Sequence, residues 1–424
     1  MRETSYDVVL YGASGFVGQQ TVRYFAERAG EEVRWAIAGR DRHKLESVRA
    51  EVGIAVDILV ADSQDRGAID AIVSQTRVVL NTAGPFALYG DAIVDACVRY
   101  RTHYVDITGE TPWVRGLIDR HHLQAATDGT RIIPCCGFDS VPADLGAYLL
   151  VRYLQRELGT DCTQVKAYYQ AAGGFNGGTL ASGLNIYDSG ELSLVSNPFL
   201  LNPPESTPTD LERHRDPTAP HYDVEVGTWV APFFMGAVNT RIVRRSWALF
   251  EQYRAAYGLD FGYQEYLKFD PPGAWLQSAA MVGGMAVIAG AIAIPPLRSL
   301  LESIIPKPGS GPTEQTMNAG WFRCELLGWG SQGQRVRGLI ADAGDPGNRA
   351  TVKFVCESAL CLAVDFDRLP GGVQRGGILT LATGLGDGLG DRSQQALMQL
   401  EVEMMGRSRS RLLTPQGEKK CLTR

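Results

Sequence analysis

Eight cysteines in 424 residues are too few and too irregularly placed for a disulfide framework. Cys135 and Cys136 are adjacent, Cys356 and Cys361 lie five apart on a helical pattern, and none takes a metal-ligand spacing with the six histidines. The expectation is reduced, mostly buried thiols in a cytoplasmic protein with no metal site. An excess of positive charge is also missing. Lys and Arg total 41 against 47 Asp and Glu, a net charge of -6, which argues against nucleic acid as the main partner. The chain opens without a basic-then-apolar leader.

Charge vanishes altogether between Leu276 and Ile294. Trp275 stands at the entrance of this run and Pro295-Pro296 at its exit. Leu297, Leu300, Leu301, Ile304 and Ile305 then share one helical face, with Arg298 and Glu302 elsewhere. Nineteen uncharged residues just reach the length of a bilayer core. Gln277, Ser278 and three glycines temper the run, and small residues also suit close helix packing. Three readings stand for 276–305: a buried or subunit-interface helix, a monotopic element touching membrane or acyl chain, and a span.

What the chain does have is concentrated at its start. Asp7-Val8-Val9-Leu10-Tyr11 runs into Gly12-Ala13-Ser14-Gly15-Phe16-Val17-Gly18, followed by a helix pattern through Thr21, Val22 and Phe25. A strand, three glycines spaced G-x-x-G-x-x-G and a helix together form a dinucleotide-binding turn. Glycine lets the backbone approach the phosphates, and the first amides of the helix favour the anion. Ser14 adds a hydroxyl donor. The next strand ends at Gly39-Arg40, where an acidic residue suits the ribose hydroxyl of NAD and an arginine suits the 2′-phosphate of NADP. Arg40, reinforced by Lys44, makes NADPH the expected cofactor and NAD the less favoured one. Cofactor-binding positions are thus expected at Gly12, Ser14, Gly15, Phe16, Gly18, Gly39, Arg40 and Lys44.

Strand and helix patterns alternate up to about residue 156, which predicts an α/β, Rossmann-type doubly wound parallel sheet. After it the composition shifts to longer strands and to loops rich in glycine and proline. Asn197–Pro220, with six prolines, reads as a long surface loop, Pro306–Pro312 as a semi-rigid linker, and 406–424, with six basic residues, as a frayed tail. The first 156 residues are thus the expected dinucleotide-binding domain.

Other residues are candidates for chemistry. Asn81-Thr82-Ala83-Gly84-Pro85-Phe86 follows a buried-looking strand, so Ala83, Gly84, Pro85 and Phe86 are expected beside the ribose and nicotinamide. Tyr104 and Asp106 point to one face of a strand. They read either as proton donors or as core and loop organisers. Asp139 follows another strand and precedes the helix start Ser140-Val141-Pro142, as a cap or a substrate contact. Gly173–Thr179 is a glycine-rich loop around Phe175 that fits a substrate, a partner subunit or a plain turn. Arg241, Arg244 and Arg245 read either as a solvated face or as a phosphate site.

The motifs GASGFVG, Asn81–Phe86, Tyr104-Val105-Asp106-Ile107-Thr108-Gly109-Glu110 and Gly137-Phe138-Asp139-Ser140-Val141-Pro142-Ala143-Asp144-Leu145-Gly146 resemble the saccharopine dehydrogenase-like oxidoreductases. The stretches 239–246, 306–312 and Gly344-Asp345-Pro346-Gly347 are similar to its trans-acting enoyl reductase branch. The resemblance implies a Rossmann domain over 1–156, a second, inserted α+β domain serving substrate or dimerisation over 157–343, and a segment 344–405 returning to the first domain ahead of the tail 406–424. It also implies an NAD(P)H-dependent enzyme reducing a double bond of a lipid or polyketide-type acyl substrate, free or carrier-bound. A homo-oligomer is expected, with peripheral membrane contact as a further expectation. Two other readings are a non-catalytic NADP(H)-binding lipid-associated protein and a saccharopine-type amino-acid dehydrogenase.

Overall fold

The computed structural model describes residues 4–174, 177–206, 208, 211–304 and 309–405. Phe175, Asn176, Ile305, Pro306–Pro308 and the tail 406–424, all singled out above, lie outside them. Fourteen strands are described: β1 (Tyr6–Tyr11), β2 (Trp35–Gly39), β3 (Asp57–Val60), β4 (Thr76–Asn81), β5 (His103–Asp106), β6 (Arg131–Ile133), β7 (Cys162–Ala172), β8 (His221–Asp223), β9 (Thr228–Pro232), β10 (Gly262–Lys268), β11 (Trp321–Gly330), β12 (Arg335–Ala343), β13 (Gly377–Ile378) and β14 (Gln399–Met404).

The first sheet has the order β13-β6-β5-β4-β1-β2-β3, and every neighbouring pair is parallel. Its central strands carry short aliphatic runs that are fully buried, such as Val8-Val9-Leu10, Ala36-Ile37-Ala38 and Val78-Val79-Leu80. A parallel sheet needs that pattern because helices cover both of its faces. The expected Rossmann-type architecture is thus observed. Strand order reverses between β1 and β4, which opens a crevice at their carboxyl ends where such sheets bind ligands.

The second sheet, β14-β12-β11-β7-β10-β9-β8, is mixed: β7 and β10 are parallel, while β11 is antiparallel to β7 and β12. The helix Val141–Leu158 lies against β11 and β12. Residues 344–405 are shared between the two sheets. Helix Thr351–Val364 covers β1, β4 and β5 and packs on helix Phe16–Arg28, whereas β14 pairs with β12.

Helix Gly236–Gln252 holds the two parts together in an unexpected way. Arg241, Arg244 and Arg245 are each about 1% exposed, neither solvated nor open to a phosphate. Asp216 takes Arg241 and Arg244, and carbonyls of Val195, Asn197 and Pro198 complete their bonds. Arg245 donates to the carbonyls of Leu201 and Ile378. The proline-rich stretch is therefore partly core, with Phe199, Leu200 and Leu201 buried. Nearby, buried Asp144 accepts from Ser246 Oγ and, at 2.8 Å, from the Ala382 amide.

The uncharged run forms helix Ala274–Ala293, of which only Ala274 and Ser278 are buried. Helix Pro295–Ile304 folds back against it. The described residues therefore do not bury this helix.

Candidate active site

At the carboxyl end of β1, Gly12 has φ +84°, and a Cβ there would stand 2.8 Å from the Ala83 nitrogen. A Cβ on Gly18 would stand 2.1 Å from the Gly12 carbonyl oxygen, so only glycine closes this turn. Gly15 begins helix Phe16–Arg28 without a side-chain cap and without an acidic residue in the first turn. The orphan amides and the positive end of the dipole remain for a dinucleotide phosphate, and the residues fit that group. Phe16 is overlain by the end of the linker: a Cβ on Gly311 would fall 2.3 Å from its ring.

The end of β2 abuts this turn, with Ser14 Oγ 3.8 Å from where a Cβ on Gly39 would be. Arg40 is exposed and makes no ion pair among the described residues. Asp41 does not neutralise it. Its carboxylate accepts from the Lys44 amide at 3.2 Å and caps helix Arg42–Val52, with Lys44 Nζ 3.9 Å away. Arg40 is left as the free cation at the expected ribose position.

After β4, Asn81 ties down the loop, accepting from the Ala83 amide at 2.9 Å and donating to Tyr104 Oη at 3.1 Å. Pro85 leads into the short helix Phe86–Tyr89. Its first amides, those of Phe86 and Ala87, are held by the Glu110 carboxylate at 2.8 and 3.0 Å. Ser182 Oγ adds a third bond to Glu110 at 2.8 Å. Glu110 is 1% exposed, and these donors offset its desolvation. It fixes the loop after β4 to helix Gly177–Asp188. Glu110 had been noted only within a motif; an acid closing a Thr-Gly loop just after a strand was the available signal.

The three expected acids differ sharply. Tyr104 and Asp106 are both fully buried. Burial pushes the Tyr104 hydroxyl well above its usual range and the Asp106 carboxyl up to about 7. Asp106 Oδ1 accepts from the amides of Thr108 and Cys135 at 2.9 and 3.0 Å, so it stitches the loops after β5 and β6. Asp139, by contrast, is half-buried and its carboxyl has no hydrogen-bond partner among the described residues. Burial pushes it up to about 6. Ser140, not Asp139, occupies the N-cap of helix Val141–Leu158.

The second part of the molecule closes the other side. An added Cβ on Gly109 would meet Met235 and Val238 at 3.7 and 3.9 Å. Next to Asp139, Ser140 Oγ lies 3.4 Å from Asn239 Oδ1, and Asn239 Nδ2 donates to Glu265 at 2.8 Å. Tyr263 holds the other Glu265 oxygen at 2.9 Å, and burial raises this carboxyl to about 8. Glu265 carried no sequence signal, since its partners lie on other elements. A nucleotide turn, a free cation, an immobilised loop and an unpaired acid thus share one edge of one sheet.

Known proteins are similar to this chain. The family model of the saccharopine dehydrogenase NADP binding domain matches residues 8–133. A trans-acting enoyl reductase of Mycobacterium ulcerans is 35% identical over 413 residues, 91% of this chain and 95% of that protein. A Mycobacterium tuberculosis H37Rv protein, whose name gives the same activity provisionally, is 36% identical over 426 residues, 94% of this chain and 97% of its own. The chain belongs to the trans-acting enoyl reductase family. Homospermidine synthase of Legionella pneumophila, solved with NAD, shares the fold with a TM-score of 0.51 at 11% identity, covering 97% of this chain and 95% of that one. This family member is an NAD(P)-dependent oxidoreductase.

Proposed function

We propose that the chain uses NADPH to reduce the carbon–carbon double bond of a carrier-bound or lipid-type enoyl substrate, with Asp139 as the proton donor. The Asp139 carboxyl, in the loop after β6 and without a hydrogen-bond partner among the described residues, carries this reading. Reduction adds a hydride to one carbon and a proton to its neighbour, and the reduced nicotinamide supplies the hydride when bound. Glycines 12, 15 and 18 and the helix amides bind the pyrophosphate, and Ser14, Gly39, Arg40 and Lys44 the adenosine side. Arg40 selects the 2′-phosphate. Ala83, Gly84, Pro85 and Phe86, held in place through Glu110, orient the nicotinamide. Tyr104 and Asp106 are positioning residues that fix the loops. Asp139 holds its proton up to a pH near 6, delivers it to the substrate carbon and is reprotonated from solvent. The relatives' printed name supports the enoyl class.

The test follows NADPH absorbance with an enoyl thioester. Stoichiometric oxidation is expected, with kcat falling as pH rises above about 6. Asp139→Asn should lower kcat by roughly 100-fold or more and flatten that profile, with the NADPH Kd unchanged. Full turnover by Asp139→Asn removes the acid assignment. NADPH binding without turnover on any enoyl thioester favours the non-catalytic reading.

A further inference from the structure

The hairpin Ala274–Ile304 is the part of the molecule that the crevice chemistry leaves unexplained. Trp275, Leu276, Met281, Met285, Val287 and Ile288 are all exposed. At about 100° per residue they point to every side of the helix, not along one stripe. Cβ atoms added at Gly283, Gly284 and Gly290 would meet nothing within 4 Å. A protein partner covers a face; an apolar surface open all round calls for a fluid apolar solvent. The return helix adds exposed Leu297 and Leu300.

Topology decides how such an element meets a bilayer. The chain leaves from β10 and re-enters at β11, two strands of one sheet separated only by β7. Both ends of the hairpin are therefore anchored on the same body, and a single crossing would place them on opposite sides. The outgoing helix has 20 residues and the returning one 10, too short to cross back. We infer that the hairpin 274–304 inserts monotopically into one leaflet of a lipid surface. Arg298, its cation, is held by Asp188 at 2.6 and 2.8 Å. Attachment is therefore driven by apolar area, not by lipid charge. Helix Gly177–Asp188 joins this surface to the crevice, with Asp188 on Arg298 and Ser182 on Glu110. The inference stands apart from the enoyl reading, because lipid attachment needs no substrate.

The experiment is flotation of the full chain with phosphatidylcholine vesicles, with and without phosphatidylglycerol, at low and high salt. NADPH binding, read by fluorescence, reports integrity. The chain should float equally in all four conditions. Val287→Glu combined with Ile288→Glu, both at exposed positions, should reduce the bound fraction at least about tenfold with NADPH binding unchanged. Failure of the unaltered chain to float overturns the inference, as does equal flotation of the double variant. A dimer in solution that the double variant dissociates also overturns it, in favour of a second copy. Loss of turnover alone touches only the enoyl reading.

Discussion

The stretch Arg241–Arg245 and the stretch Leu276–Ile294 are inverted with respect to their composition. The first carries three arginines and is sealed inside the molecule; the second carries no charge and stands outside it. A guanidinium can be buried when its planar donors meet fixed acceptors, as the Asp216 carboxylate and several carbonyls provide here. An apolar helix can stay outside when little among the described residues covers it. Burial follows available partners, and residue type only biases it.

That contrast can be broken by substitution. Arg245→Leu orphans the carbonyls of Leu201 and Ile378, so a loss of about 3 kcal/mol or more is expected, read from the urea midpoint. A solvated Arg245 would leave the midpoint unmoved. Arg40 sharpens the comparison, being an exposed arginine with no ion pair among the described residues. Arg40→Ala should weaken NADPH about 10- to 100-fold and leave NADH binding as it was. Its stability should stay within about 0.5 kcal/mol, the surface range. The smallest effect belongs to the hairpin. Ile288→Ser should shift the aqueous unfolding free energy by less than about 0.5 kcal/mol, whereas a core isoleucine would cost several times that.

The same logic sorts what could be read beforehand. The turn Gly12–Gly18 was legible because its chemistry is local: strand, glycines and helix follow one another in sequence. The alternating patterns up to β6 were legible for the same reason, since each strand carries its own aliphatic run. Arg241, Arg244 and Arg245 were not legible. Apart from the neighbouring Thr240, their acceptors lie between 19 and 133 residues away, on other segments of the chain. Glu110 was illegible as a clamp because the amides it holds lie 24 and 23 residues upstream. Asp106 at the end of its strand and Asp139 in the loop after the next were both candidate acids. The amides of Thr108 and Cys135 separate them, and backbone amides leave no trace in side-chain patterns.

Helix Thr351–Val364 covers β1, β4 and β5, and β13 extends the first sheet beyond β6, although both come from the last quarter of the chain. Truncation after β6 would therefore leave a nucleotide-binding half with one sheet face bare and its edge unpaired, and such a fragment would aggregate. Nucleotide affinity is a property of the whole polypeptide, acquired only when synthesis has passed β13. Premature stop codons anywhere before that point would yield no cofactor-competent remnant.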